Sequence, residues 1–106
     1  MDETTFDAAA DRELRALLHE LDNLEGVEAE LEMGVLTVSF ESGQVFVINS
    51  HRAARQIWMA ADRVAWHFDP RGDGDAWAGS KPPHEGLRVA LSGALSKRLG
   101  RTVSVG

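Results

Sequence analysis

The hydrophobic pattern changes its period twice along the chain, and this change constrains the fold more than any single motif does. Between residues 5 and 24, apolar side chains recur every three or four positions, as they do on one face of a helix. From Val27 to Trp77, short segments alternate between apolar and polar residues or run apolar, as strands do. Helical spacing returns over residues 84–99, after Lys81-Pro82-Pro83. The sequence therefore predicts a helix, a series of strands and a second helix.

The connections between the predicted elements are short. Thr4 or Thr5 is suited to cap the start of the first helix, and Gly26 is suited to end it. Residues 50–55 and 70–75 are polar or glycine-rich, and we predict that they connect strands. The predicted strands are residues 27–33, 35–41, 44–49, 56–60 and 65–69, with a further short strand around Trp77.

These short connections determine how the strands pair. They require antiparallel neighbours, because parallel strands need long crossovers. Two helices with one apolar face each, and one sheet, must then bury those faces against each other. We expect an α+β fold in which residues 1–106 form a single domain, a two-layer sandwich. Its five- or six-stranded antiparallel sheet would carry the N- and C-terminal helices on one face and leave the other face open to water.

The composition excludes several classes of protein. The chain has no cysteine, which excludes a disulfide framework, a zinc finger, a cysteine-ligated iron–sulfur cluster and a thiol nucleophile. No apolar run approaches the roughly 18–20 residues that a membrane span needs. The N-terminal residues Met-Asp-Glu-Thr-Thr do not resemble a signal or transit peptide. We therefore expect a soluble cytoplasmic protein that does not enter a membrane.

Charge is concentrated at the N-terminal end. Residues 1–32 contain 11 acidic and 2 basic residues, whereas residues 33–106 contain 6 acidic and 9 basic residues. Such an end attracts cations or a basic partner. Nucleic acid is not expected as a ligand, because binding a phosphate backbone requires clustered Lys and Arg. A solvated acidic face that keeps the protein soluble would explain the same residues without any ligand.

The sequence offers little for catalysis. None of its serines lies in a G-x-S-x-G elbow, and no glycine-rich phosphate loop is present. We expect no enzyme activity, and we expect His67 to be a partly buried structural residue. The histidines lie far apart and lack the spacing of a metal-binding pair: His19, His51, His67 and His84.

The acidic side chains are the strongest candidates for a binding site. Carboxylates are hard oxygen ligands, suited to hard or borderline cations. Because these acids follow two elements and are not gathered in one loop, they predict weak, labile metal binding. Leu18 interrupts the row on the helix, and His19 lies further round. The row consists of Asp7, Asp11, Asp22 and Glu25 along one flank of the helix, and of Glu28, Glu30 and Glu32 on one face of the first strand.

Trp58 is the second candidate, as an anchor for a protein partner. It shares one face of a predicted strand with Gln56 and Ala60, and Ile57 and Met59 share the other face. If Ile57 and Met59 face the core, Trp58 is an aromatic on an open sheet face, typical of a protein interface. If Trp58 faces the core, it is an ordinary packed residue. The pattern alone leaves both interpretations open.

Several stretches in the order found here also resemble a known family. Together they cover essentially the whole chain and are similar to bacterial frataxin homologues of the CyaY type. That resemblance implies the same α+β sandwich and an outward-facing Trp58. Residues 49–55 depart from the family pattern, because they lack its N-x-Q and proline and contain two arginines. The stretches are the acidic first helix, Gly34-Val35-Leu36-Thr37-Val38-Ser39-Phe40, Ile48-Asn49, Gln56-Ile57-Trp58-Met59-Ala60 and Trp66-His67-Phe68-Asp69.

The resemblance to the frataxin family also implies a function. It implies an iron-binding accessory protein of iron–sulfur cluster assembly, with cysteine desulfurase and the cluster-assembly scaffold as partners. Iron, as Fe²⁺ or Fe³⁺, would bind reversibly, and we expect a monomer, with iron-driven oligomers as the alternative. The implied metal ligands, called the acidic ridge below, are Asp7, Asp11, Asp22, Glu25, Glu28 and Glu30. The implied partner-binding residues are Asn49, Gln56, Trp58, Glu20 and Glu32.

Two other hypotheses remain beside this one. The first is an acidic adaptor that binds a protein partner without any metal. The second is a ferroxidase, which would need the acids to gather into a dinuclear site. The chain lacks the Glu-x-x-His arrangement of di-iron proteins, which argues against a ferroxidase.

Overall fold

A computed structural model of the protein describes residues 1–106. Its six strands form one antiparallel sheet in which each strand pairs with its neighbours in sequence, from β1 at one edge to β6 at the other. The predicted α+β fold is therefore confirmed, with six strands. The elements are α1 Glu3–Asp22, β1 Val27–Glu32, β2 Val35–Phe40, β3 Val45–His51, β4 Gln56–Ala61, β5 Val64–Arg71, β6 Ala76–Gly79 and α2 Leu87–Leu99.

The two helices pack against the same face of the sheet and bury one hydrophobic core. Phe6 and Leu14 of α1 and Leu91 of α2 belong to one cluster with Ile48 and Ile57 from the sheet. Alternation along the strands directs the remaining side chains to the other face, which no element covers. Neither helix is both long enough and apolar enough to cross a lipid bilayer. The fold therefore leaves a whole sheet face available for contact with other molecules.

The ends of α1 differ from the prediction. The helix begins at Glu3 because the carboxylate of Asp2 accepts a hydrogen bond from the Thr5 backbone N–H at 2.7 Å. This bond lowers the pKa of Asp2 below its ordinary value. The helix ends at Asp22 and is capped by Asn23, whose side-chain amide donates to the His19 carbonyl, so Gly26 lies beyond the cap. The threonine cap and the glycine stop were both wrong predictions.

The turn between β1 and β2 excludes Met33 from the strand. Met33 and Gly34 both have positive φ, 50° and 78°, as the two central residues of a tight hairpin do. Glu32 pairs directly with Val35 across this turn. Met33 is consequently 94% exposed, although the sequence placed it on the apolar face of the strand.

Three strands extend past their predicted ends, β4 by the single residue Ala61, and α2 is shorter. β3 continues to His51, and β5 continues through Pro70. The pairing of β4 with β5 ends at Ile57 and Phe68, so Pro70 lies beyond that ladder and its missing N–H removes no hydrogen bond from it. The second helix begins at Leu87, after Gly86, and not at residue 84.

Candidate functional site

The acidic ridge follows α1 and the neighbouring edge strand β1. The helix packs against the sheet at β1, whose apolar residues are half-buried and whose acids point to the solvent. No three acidic or histidine side chains come together in a group that could hold a metal ion. The ridge is thus a line of separate carboxylates. All six predicted metal ligands are exposed: Asp7, Asp11, Asp22, Glu25, Glu28 and Glu30.

Arginines neutralise the first half of the ridge. The Arg52 Nε lies 3.1 Å from the Asp7 carboxylate and 3.3 Å from that of Glu3. The Arg15 Nε donates to the Asp11 carboxylate at 2.9 Å, one helical turn away. These acids are therefore already paired within the molecule.

The second half of the ridge has no such partner. No side-chain nitrogen of a Lys, Arg or His lies within 4.0 Å of any of its carboxylate oxygens. Glu28 and Glu30 face the solvent on a strand whose alternate residues are about 6.5–7 Å apart. Arg101 reaches this region but donates to the Glu25 backbone carbonyl at 2.7 Å and to none of the carboxylates. Carboxylates without an ion pair are therefore concentrated at one corner of the molecule, formed by Asp22, Glu25, Glu28, Glu30 and Glu32.

Glu20, a predicted partner-binding residue, is already ion-paired and hydrogen-bonded within the molecule. Arg88 of α2 forms ion pairs with Glu20 and with Glu13, the latter through two contacts of 3.0 and 3.2 Å. These carboxylates, Glu13 foremost, raise the pKa of Arg88 above its ordinary value. The Glu20 carboxylate also accepts from the Gly106 backbone N–H at 2.7 Å. It therefore joins α1 to α2 and to the chain end.

Trp58 lies on the uncovered face of the sheet, because Ile57 and Met59 are fully buried on the other. Its indole N–H donates to the Gln56 side-chain oxygen at 2.8 Å. The Gln56 amide in turn donates to the Asp69 carboxylate at 3.0 Å. This chain of hydrogen bonds fixes the orientation of the indole.

Two histidines stack on the faces of the Trp58 ring. The His51 centroid lies 3.7 Å away with the rings 14° apart, and that of His67 lies 4.3 Å away with the rings 11° apart. His67 is exposed, so the prediction of a partly buried structural histidine was wrong. Asn49 and His67 are the direct cross-strand neighbours of Trp58. We call this surface the tryptophan patch: Asn49, His51, Gln56, Trp58, His67 and Asp69.

One row of cross-strand neighbours joins the tryptophan patch to the acidic corner. The pairing register aligns Glu32, Val35, Asn49, Trp58 and His67 across the open face, from β1 to β5. Three strand spacings, about 14 Å, separate Glu32 from Trp58. A single partner surface can therefore contact both.

Sequence reasoning missed the histidine stack and Arg52. The contact between Trp58 and His67 depends on the register of β4 against β5, which the hairpin turn Asp62-Arg63 sets. Both turn residues have positive φ, but neither is the glycine that usually identifies such a turn in a sequence. A turn centred between those residues places His67 opposite Trp58, so the signal was present in the sequence. Arg52 contacts α1 only through the tertiary fold, and no local pattern reveals that contact.

Comparison with known proteins agrees with this geometry. Residues 1–101 match the family described as a frataxin-like domain. The iron–sulfur cluster assembly protein CyaY of Thioalkalivibrio sulfidiphilus is 33% identical over 106 residues, which cover 97% of this chain and 98% of that protein. The structure of frataxin from Psychromonas ingrahamii superposes with a TM-score of 0.83 at 22% identity, over 98% of this chain and 97% of that one. The chain therefore belongs to the frataxin-like family.

Proposed function

We propose that this protein is a non-enzymatic accessory factor of iron–sulfur cluster assembly that binds iron weakly and docks on cysteine desulfurase. The observation that carries the proposal is the unpaired corner of carboxylates along α1 and β1 in a frataxin-like fold. The name of the 33% identical relative, an iron–sulfur cluster assembly protein, supports the process. Family membership supports the accessory role.

The carboxylates fit a labile iron cargo by their chemistry. Oxygen ligands suit Fe²⁺ and Fe³⁺, and every acid of the ridge is exposed to the solvent from which an ion arrives. Pairs such as Asp22 with Glu25, or Glu28 with Glu30, offer two ligands each, and water completes the coordination. With no third protein ligand nearby, bound iron exchanges readily. Such a surface serves transfer of iron, and not its storage.

Docking uses the acidic corner and the tryptophan patch together. A basic surface on the desulfurase is attracted by the unpaired acids, which raises the association rate. Trp58, held in place by Gln56 and by the two imidazoles, then anchors the contact. The remainder of the open face is available to the cluster-assembly scaffold.

An anaerobic Fe²⁺ titration followed by amide NMR tests the iron-binding part. We expect broadening confined to residues around 22–32, reversed by a chelator, and weakened around residues 28–30 in the double variant Glu28→Gln/Glu30→Gln. The matched control is Asp75→Asn/Glu85→Gln, which removes two exposed acids that form no ion pair elsewhere on the surface. Broadening that is absent, or equal in both variants, would contradict iron binding on the ridge.

The metal-independent adaptor is the second candidate, and the internal pairing of Asp7 and Asp11 with arginines favours it. The double variant Asp11→Ala/Glu28→Ala separates the two functions. If iron broadening and desulfurase affinity fall together, the acids serve both roles. If only desulfurase affinity falls, the acids serve the protein partner alone.

A further inference from the structure

Arg52 brings a cation to the acidic ridge from another part of the fold. It follows the last residue of β3, and its guanidinium lies between the carboxylates of Glu3 and Asp7, which are one helical turn apart on α1. Both carboxylates therefore share one positive group. In the corner from Asp22 to Glu32 no carboxylate forms an ion pair, and the guanidinium that reaches it, that of Arg101, donates to the Glu25 backbone carbonyl at 2.7 Å.

The β3–β4 turn holds Arg52 in this position. The Arg55 backbone N–H and its guanidinium both donate to the Arg52 carbonyl, at 3.2 and 2.9 Å. The Ala54 N–H donates to the His51 ring Nδ1 at 3.3 Å, and His51 is itself stacked on Trp58. The turn is thus tied to the tryptophan patch on one side and to α1 on the other.

We propose that Arg52 acts as a built-in counter-ion, which closes the N-terminal half of the acidic ridge to metal ions and leaves the corner from Asp22 to Glu32 as the open half. This rests on the proposed iron-binding function. A metal ion that binds Glu3 and Asp7 must displace the guanidinium, whose charge also repels it. The contact is displaceable, because the side chains of Arg52, Glu3 and Asp7 are 60%, 49% and 48% exposed.

The expected size of this competition is modest. Exposed ion pairs contribute little, so removing Arg52 should tighten metal binding at Glu3 and Asp7 by about threefold to fivefold. Asp22 lies about 22 Å from Asp7 along the helix axis. The two halves of the ridge can therefore be followed separately within one molecule, and the second half serves as an internal reference.

The test uses Mn²⁺ as a paramagnetic probe and amide NMR as the readout. The measurement is the Mn²⁺ concentration that halves each amide signal, compared between residues 3–11 and residues 22–28. In Arg52→Gln, we expect this concentration to fall about threefold to fivefold for residues 3–11 and to stay constant for residues 22–28. Arg52→Lys keeps the charge, so its Mn²⁺ concentration for residues 3–11 should lie between that of Arg52→Gln and that of the parent protein.

Arg63→Gln is the matched control, because it removes one positive charge from an arginine that forms no ion pair, in the β4–β5 turn. It should leave both halves unchanged. An equal response of residues 3–11 in Arg52→Gln and in Arg63→Gln would overturn the counter-ion proposal. If residues 22–28 do not respond to Mn²⁺ even in the parent protein, the proposed metal-binding function fails instead, so the two failures are distinguishable.

Discussion

At the scale of single residues, Trp58 is placed for recognition of a partner and not for packing of the core. Its ring lies between two imidazoles on a sheet face that no helix covers, whereas the adjacent Met59 is fully buried. Gln56 holds the indole N–H, so the ring has one orientation before any partner arrives. A side chain that is fixed in advance loses little entropy on binding. Trp58 is therefore suited to contribute more to binding than to folding.

Trp58→Ala should consequently weaken partner binding much more than it destabilises the fold. We expect desulfurase affinity to fall by about thirtyfold, as for a hot-spot residue. The free energy of unfolding should fall by only about 1 kcal/mol, the scale of cross-strand pairs. Met59→Ala is the matched core variant and should cost about 2–5 kcal/mol. Urea unfolding measures the free energy of unfolding, and calorimetric titration measures the desulfurase affinity. If Trp58→Ala destabilised the fold as much as Met59→Ala does, Trp58 would be a core residue and not mainly a binding residue.

At the scale of secondary structure, the periodicity of the sequence was sufficient for the architecture but not for its details. Alternating and helical spacing predicted two helices and five or six antiparallel strands, because each period reports one buried face. The boundaries moved where hydrogen bonds outside the pattern decide them, as Asp2 does for α1. The acids of the ridge were found because they repeat along elements, whereas Arg52 and the histidine stack depend on which elements meet. The Arg52 contacts follow from the tertiary fold alone, whereas the stacking of His67 on Trp58 follows from the register of the β4–β5 hairpin.

Arg88 is the main polar connection between the two helices. It contacts Glu13 and Glu20 of α1 from α2, and the Glu13 side chain is only 14% exposed. Arg88→Met should destabilise the protein by about 1–3 kcal/mol, because the largely buried Glu13 carboxylate loses its hydrogen bonds. Adding Glu13→Gln removes that unpaired charge and should recover part of the loss in urea unfolding. A double variant whose loss equals the sum of the two single losses would show that Arg88 and Glu13 do not interact.

The β4–β5 turn is connected to the end of α2 through Asp62, which makes part of the stability depend on pH. Lys97, and then Arg98, lower the pKa of Asp62 below its ordinary value of 3.8. The folded state therefore favours the ionised form. This stabilising contribution is present above pH 3.8 and is lost as the pH falls from there through the lower folded-state pKa.

Asp62→Asn tests this dependence, because asparagine tolerates the positive φ of 51° at this position and removes only the charge. At about pH 6 the variant should unfold at a lower urea concentration than the parent protein. The difference should shrink as the pH falls below 3.8. A difference that stays constant over this range would show that the ionised carboxylate does not stabilise the fold.

At the scale of the whole molecule, the distribution of charge should govern how fast the protein finds its partner. Of the acids in residues 1–32, those at the start of α1 are paired internally, whereas the corner from Asp22 to Glu32 is not. The field of that corner extends over about one Debye length, roughly 10 Å at 0.1 M salt. The tryptophan patch, about 14 Å away on the same face, then makes the short-range contact.

These two parts of the surface should therefore affect different rate constants for binding to the desulfurase. We expect the association rate to fall at least about tenfold between low and high salt, with little change in the dissociation rate. Glu28→Gln/Glu30→Gln should flatten this salt dependence, whereas Trp58→Ala should keep it and accelerate dissociation. Stopped-flow measurements at several salt concentrations distinguish the variants. An association rate that is insensitive to salt in the parent protein would show that charge does not accelerate docking. Docking would then depend on the tryptophan patch alone.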